Sequence, residues 1–131
     1  MMAAVLGAAV AAAGAQQRSD LGKLEYEGNC MSCHGAGARG DGPYSVNLKL
    51  PVPDLTLLAQ RNAGVYPAER VRRVIDGRDD IKGHGGRQMP IWGVRYGQRA
   101  AEYFRGEVAD PEAFAAQRVQ ALAEYLRTLQ R

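Results

Sequence analysis

The sequence predicts an all-α fold with long loops, arranged as one small domain. Three observations carry this expectation. No stretch alternates convincingly between apolar and polar residues, so no strand is expected. Behind Asp110-Pro111, Val119, Leu122, Leu126 and Leu129 recur at helical spacing with Tyr125 beside them. Nearer the other end, Gly22, Tyr26, Cys30 and Cys33 fall on one helical face. A chain of 131 residues suffices for one such domain and is too short for two.

Residues 1–15 are almost wholly Ala, Val, Leu, Met and Gly and read as a secretory leader ending at an A-x-A site, Ala13-Gly14-Ala15. No Lys or Arg precedes the apolar run, which departs from the usual leader. The other reading is an uncleaved helix acting as a weak anchor, because the run is too short to span a bilayer. Residues 16–131 then form the domain. Asp20 is expected to cap a helix that runs into Cys30. Gly22 inside that helix costs about 1 kcal/mol against Ala, which points to close approach by another helix. Gly35, Gly37, Gly40 and Gly42 make the next stretch a loop, with a turn at Gly42-Pro43.

Pro51 and Pro53 break the chain before a short helix expected over Leu55 to Asn62, ended by Gly64. Pro67 suits the first turn of another helix, with Val71, Val74 and Ile75 as its apolar stripe and Gly77 as its stop. Residues 78–97 read as an extended, Gly-rich loop. Asp110 caps the last helix and Pro111 takes its first position.

The chemistry concentrates in Cys30-Met31-Ser32-Cys33-His34. The chain has only two cysteines and two histidines, and three of these four scarce residues lie in one pentapeptide. C-x-x-C-H is the attachment sequence for a c-type haem. Each thiol adds to a porphyrin vinyl group, and His34 is placed beneath the iron. Three other readings were weighed. A redox-active or structural disulfide would want a βαβ context, and none is predicted. A zinc site would need Cys30, Cys33, His34 and His84 together, but no H-x₃₋₅-H pair exists. A buried pair without chemistry is the third.

A six-coordinate haem needs a second axial ligand. Met1 and Met2 belong to the leader and Met31 sits between the cysteines, which leaves Met89 in Arg87-Gln88-Met89-Pro90. Pro90 biases Met89 towards an extended backbone and stiffens the loop that presents the sulfur. A thioether ligand raises the reduction potential. His84 is the rival ligand, an open iron the third option, and a core methionine the bland reading of Met89.

With these residues in place the chain resembles the class I, single-haem bacterial cytochromes c over almost all of residues 16–131. The resemblance implies a fold in which N- and C-terminal helices pack around one covalent haem c. It implies that Gly22 packs against Tyr125, with Tyr26 as a neighbouring aromatic. Gly40-Asp41-Gly42-Pro43 is similar to the loop in which a proline carbonyl accepts the proximal histidine N–H, so Pro43 would orient His34. Tyr44, Leu48, Leu50, Leu55 and Leu58 are candidates for the haem wall or the core. The Trp92 indole is a candidate for a propionate contact, and Arg87 and Arg95 are candidates for neutralising propionates.

The formal charge is +3, and residues 61–99 carry nine basic against four acidic side chains. A basic field of this kind suits an acidic redox-partner surface, although a solvated surface with an incidental bias explains it equally. Nucleic acid is not expected as a partner. The resemblance implies export to the periplasm, where c-type haem is attached, and a non-enzymatic electron carrier. A monomer or a subunit of a redox complex is expected, without stable membrane insertion once the leader is cleaved. Two rival functions remain: a fixed electron-accepting subunit of a periplasmic dehydrogenase, and a haem-based binder of peroxide or nitric oxide if Met89 is labile. A di-haem peroxidase is excluded, because only one C-x-x-C-H occurs.

Overall fold

The computed structural model describes residues 3–79, 92–103 and 110–131. Among them the order is α1 (Ala3–Asn29), α2 (Met31–His34), three 3-10 turns at Ser45–Asn47, Leu55–Leu57 and Gln60–Asn62, then α3 (Ala68–Asp76), α4 (Trp92–Tyr103) and α5 (Pro111–Thr128). No strand occurs among the described residues. The fold is all-α, as predicted.

Helix α5 is the hub, with α1, α3 and α4 all packed against it. Its start follows the expected chemistry: the Asp110 carboxylate accepts from the Ala113 N–H at 2.9 Å, and Pro111 occupies the first turn. Val119, Leu122 and Leu126 are buried, and Leu129 packs against the core. The crossing of α1 on α5 depends on Gly22. A Cβ added there would stand 2.7 Å from the Ala121 carbonyl carbon and 2.8 Å from Tyr125 Cβ. The helix backbones meet at a distance only glycine permits, which bears out the expected contact with Tyr125. Tyr26 extends the seam, its ring 5.5 Å from that of Tyr125. Two ion pairs flank it, Arg18–Glu124 at 3.2 Å and Arg118–Glu25 at 2.9 Å.

Three local expectations are corrected. Asp20 does not cap a helix. Helix α1 begins at Ala3 and passes through residue 20, where the carboxylate accepts from the Gln16 side chain at 2.9 Å. Nothing in the Ala-rich run upstream breaks a helix, so good propensity carries through. The helix expected over Leu55 to Asn62 is instead two 3-10 turns, the first capped by Asp54. They end at Ala63 and Gly64, both in the left-handed region. Finally, residues 92–97 are helical rather than loop. Gly93 and Gly97 lower local propensity, but Trp92, Tyr96 and Ala100 recur every four residues and are all buried. Burial of that stripe outweighs the propensity cost.

Helix α3 buries Val71 and Ile75 and ends at Gly77 (φ 82°). The Arg78 N–H bonds the Arg73 carbonyl at 2.8 Å and the Gly77 N–H bonds that of Val74 at 3.2 Å, a Schellman ending. Pro67 stands just before the first helical residue.

Candidate functional site

Helix α2 carries the Cys-x-x-Cys-His pentapeptide at the end of α1. His34 is buried, at 7% exposure, and neither Cys30 nor Cys33 is in a disulfide. The Tyr26 hydroxyl donates to the Gly35 carbonyl at 2.6 Å, and the Cys30 N–H to the Tyr26 carbonyl at 2.8 Å. The glycine loop then folds back over the pentapeptide. The Gly40 N–H bonds the His34 carbonyl at 2.8 Å, Gly42 bonds Cys33 at 3.1 Å, and Tyr44 bonds Ser32 at 2.9 Å. A Cβ on Gly42 would lie 2.5 Å from the Ser32 carbonyl oxygen, so the close return of this loop requires glycine. Pro43 sits between two residues tied to positions 32 and 33, and is thereby held beside the pentapeptide.

A cavity of about 400 Å³ opens next to Cys30 and His34. Tyr26, Leu122 and Leu126 form one side. Pro53, Leu55 and Leu58 form another, and Val71, Val74 and Ile75 of α3 a third, with Trp92 of α4 also on the wall. Leu55, Leu58 and Trp92 therefore line the cavity. Tyr44, Leu48 and Leu50 do not line the cavity; Tyr44 and Leu50 are 55% and 49% exposed. Arg95 is also absent from the wall, its guanidinium lying 5.4 Å over the Trp92 ring. Met89, His84 and Arg87 lie outside the described residues.

The α3 face of the wall and the charged pair Arg61 and Arg70 were not anticipated as site residues. The Val71-Val74-Ile75 stripe was visible, but its destination was not. The prolines of the 51–53 break were likewise read only as punctuation.

The 50s wall is fastened to the far end of α5. Asp54 accepts from the Thr56 N–H at 2.8 Å and the Thr56 hydroxyl at 2.6 Å. The Arg131 guanidinium donates to Thr56 Oγ1 at 2.8 Å and to Asp54 at 3.0 Å. Gln130 donates to the Leu55 carbonyl and accepts from the Ala59 N–H, each at 2.9 Å. The Thr56 hydroxyl, foremost, holds the Asp54 carboxyl below its ordinary range, with its N–H and Arg131 assisting.

The Cys30 thiol is pushed up to about 12, chiefly by burial and then by the charges of Glu25 and Cys33. A reactive redox cysteine has the opposite shift. Among the described residues no group of three His, Cys, Asp or Glu side chains could hold a metal ion. Two thiols, a buried imidazole and an apolar slot beside them are instead a donor set and shape that fit a porphyrin. Cys30 and Cys33 could bind it covalently, and His34 could ligate its iron.

An all-α fold that closes around such a slot defines a haem-binding protein. The Cytochrome c family model matches residues 19–130, and the chain belongs to the cytochrome c family. No curated protein and no solved structure matches the chain. As a member of the family it is a haem-binding electron-transfer cytochrome, with haem c covalently attached. No described helix is long and apolar enough to cross a membrane.

Proposed function

We propose that the chain is an exported, periplasmic carrier of single electrons, with a haem attached through Cys30 and Cys33 and ligated by His34 and Met89. The observation that carries this reading is the buried His34 beside Cys30 on the wall of an apolar cavity. With protein ligands on both iron faces no position is open to substrate, so the remaining chemistry is electron transfer through the haem edge. Residues 1–15 act as the leader, and the mature chain begins near Gln16. Mass spectrometry of the exported protein checks this.

An acidic partner surface suits the basic segment. Arg72, Arg73 and Arg78 are already paired with Glu69, Asp79 and Asp76. Among the described residues of that segment Arg61, Arg70, Arg95 and Arg99 are exposed and in no ion pair, and suit steering better.

The deciding experiment is the absorption spectrum of the ferric protein. The weak long-wavelength band of methionine sulfur on ferric haem is expected, and Met89→Ala abolishes it and lowers the potential. A parent without the band, or a variant that keeps it, refutes the ligand set. Rapid carbon monoxide binding by the reduced parent refutes the closed iron and favours a ligand-binding haem protein.

One observation favours a second reading, a fixed subunit of a periplasmic dehydrogenase. Tyr44, Val46 and Leu50 are exposed together on the loop that follows the haem motif, Val46 at 85%. Apolar exposure of this kind suits a persistent contact better than a fleeting one. Co-purification with a larger protein that survives high salt would establish it over the free carrier.

A further inference from the structure

Two permanently charged side chains stand on the described wall of the cavity, Arg61 and Arg70. The surface around them is mostly apolar. Arg61 comes from the Gln60–Asn62 turn, which is fixed by the Asn62 side chain donating to the Val65 carbonyl at 2.7 Å. Arg70 comes from the first turns of α3, next to Val71. Both residues are exposed, so their side chains bridge solvent and cavity. Among the described residues neither forms an ion pair, whereas Arg72, Arg73 and Arg78 of the same segment all do.

A guanidinium at the rim of an apolar slot is stabilised by an anion that presents planar oxygens to its N–H fork. The haem brings two such groups, its propionates. They leave the porphyrin on the edge away from the vinyl carbons, and the vinyl edge is bound by the cysteines. Arg61 and Arg70 belong to elements other than those that carry Cys30, Cys33 and His34.

We propose that Arg61 and Arg70 are the propionate-binding residues of this cytochrome, and that they raise its potential by compensating two negative charges. The inference rests on haem attachment and is independent of the identity of the second axial ligand. It replaces Arg95 as a propionate partner, because Arg95 is engaged with the Trp92 ring instead. It also withdraws two guanidiniums from the field available to a docking partner.

The test uses the haem-loaded protein. In the parent, the propionate carboxyls followed by infrared spectroscopy should titrate below the value of free propionic acid. In Arg61→Gln and Arg70→Gln that midpoint should move up and the reduction potential should fall, furthest in the double variant, because a lost positive charge favours ferric iron. Arg61→Lys and Arg70→Lys should restore most of the potential. Arg73→Gln, which removes equal charge from the pair with Asp79, should leave both readouts near the parent. Parent propionates that titrate at or above the value of free propionic acid would overturn the assignment, and that measurement needs no variant. So would an unchanged potential in the double variant, or an equal shift in Arg73→Gln. The ferric band used to test Met89 is a separate readout, so failure here and failure of the ligand set are distinguishable.

Discussion

The Tyr26 hydroxyl donates a 2.6 Å hydrogen bond to the carbonyl of Gly35, the residue that follows His34. Helix α1 therefore holds the pentapeptide from both ends: the backbone carbonyl of Tyr26 at Cys30, and its side chain beyond His34. Burial, first, raises the tyrosine's titration far out of the physiological range, so the donor proton persists at any ordinary pH. Tyr26→Phe removes this donor and leaves the Gly35 carbonyl with the Ala38 N–H, at 3.1 Å, as its remaining partner, a loss of about 0.5–1.5 kcal/mol. Denaturant unfolding of the haem-loaded protein should show a lower midpoint at unchanged slope; an unchanged midpoint would mean that the bond contributes nothing net.

The α1–α5 crossing has no room for a methyl group. Gly22→Ala forces Cβ against the Ala121 backbone and should cost at least the 1–3 kcal/mol typical of overpacking, despite alanine's better helix propensity. Gly28, on the same helix with nothing within 4 Å of an added Cβ, is the control: Gly28→Ala should be neutral or stabilising. Thermal unfolding of the two variants separates packing from propensity, and equal behaviour would contradict the close crossing.

The Arg118–Glu25 pair is the more enclosed of the two across this seam, with side chains 22% and 12% exposed. Glu25 also accepts from Asn29 at 2.9 Å, and Arg118 stacks 3.5 Å over the Phe114 ring. Its worth should fall between an exposed pair and a fully buried one, so Arg118→Ala should cost about 1–3 kcal/mol. A double-mutant cycle with Glu25→Gln should return a favourable coupling that salt weakens only slightly. Zero coupling would reduce Arg118 to its stacking on Phe114.

Asp54 makes stability depend on acid. Its carboxyl lies below the ordinary range when folded, so its contribution is complete above the unfolded value of about 3.9 and is lost as pH falls through the lower folded value. Asp54→Asn should be less stable than the parent at neutral pH, and the gap should close as the pH approaches 2 or so. Unfolding midpoints across that range check the sign. A gap that stays constant with pH would assign the effect to something other than the carboxylate charge.

The sequence spoke clearly where a signal was local or a residue type scarce. Asp110-Pro111, the α3 stripe with its glycine stop and the cysteine-histidine pentapeptide each carry their meaning within a few residues. Gly22 asked for a close approach by another helix, because a glycine inside a helix requires a reason, whereas Tyr125 as the partner about a hundred positions on came from the resemblance to the family and not from the residues themselves. Helix α4 was hidden by Gly93 and Gly97, whose propensity cost is visible in sequence while the burial of Trp92 and Tyr96 is not. Asp20 misled because a capping residue works only where the chain upstream is not already helical. Arg61 and Arg70 were passed over because arginine is ordinarily on the surface, and only the folded chain turns them towards a cavity.

The fastening of the 50s wall bears on the order of assembly. Leu55 and Thr56 are secured by Gln130 and Arg131, 75 residues later in the chain. Closing so long a loop carries an entropic cost that no local contact can recover beforehand. Until Gln130 and Arg131 dock, this side of the slot therefore stays unlatched. The wall beside Cys30 and His34 is thus completed by the final two residues of the chain, so a truncation of only Gln130 and Arg131 loosens a chamber that lies 75 positions upstream.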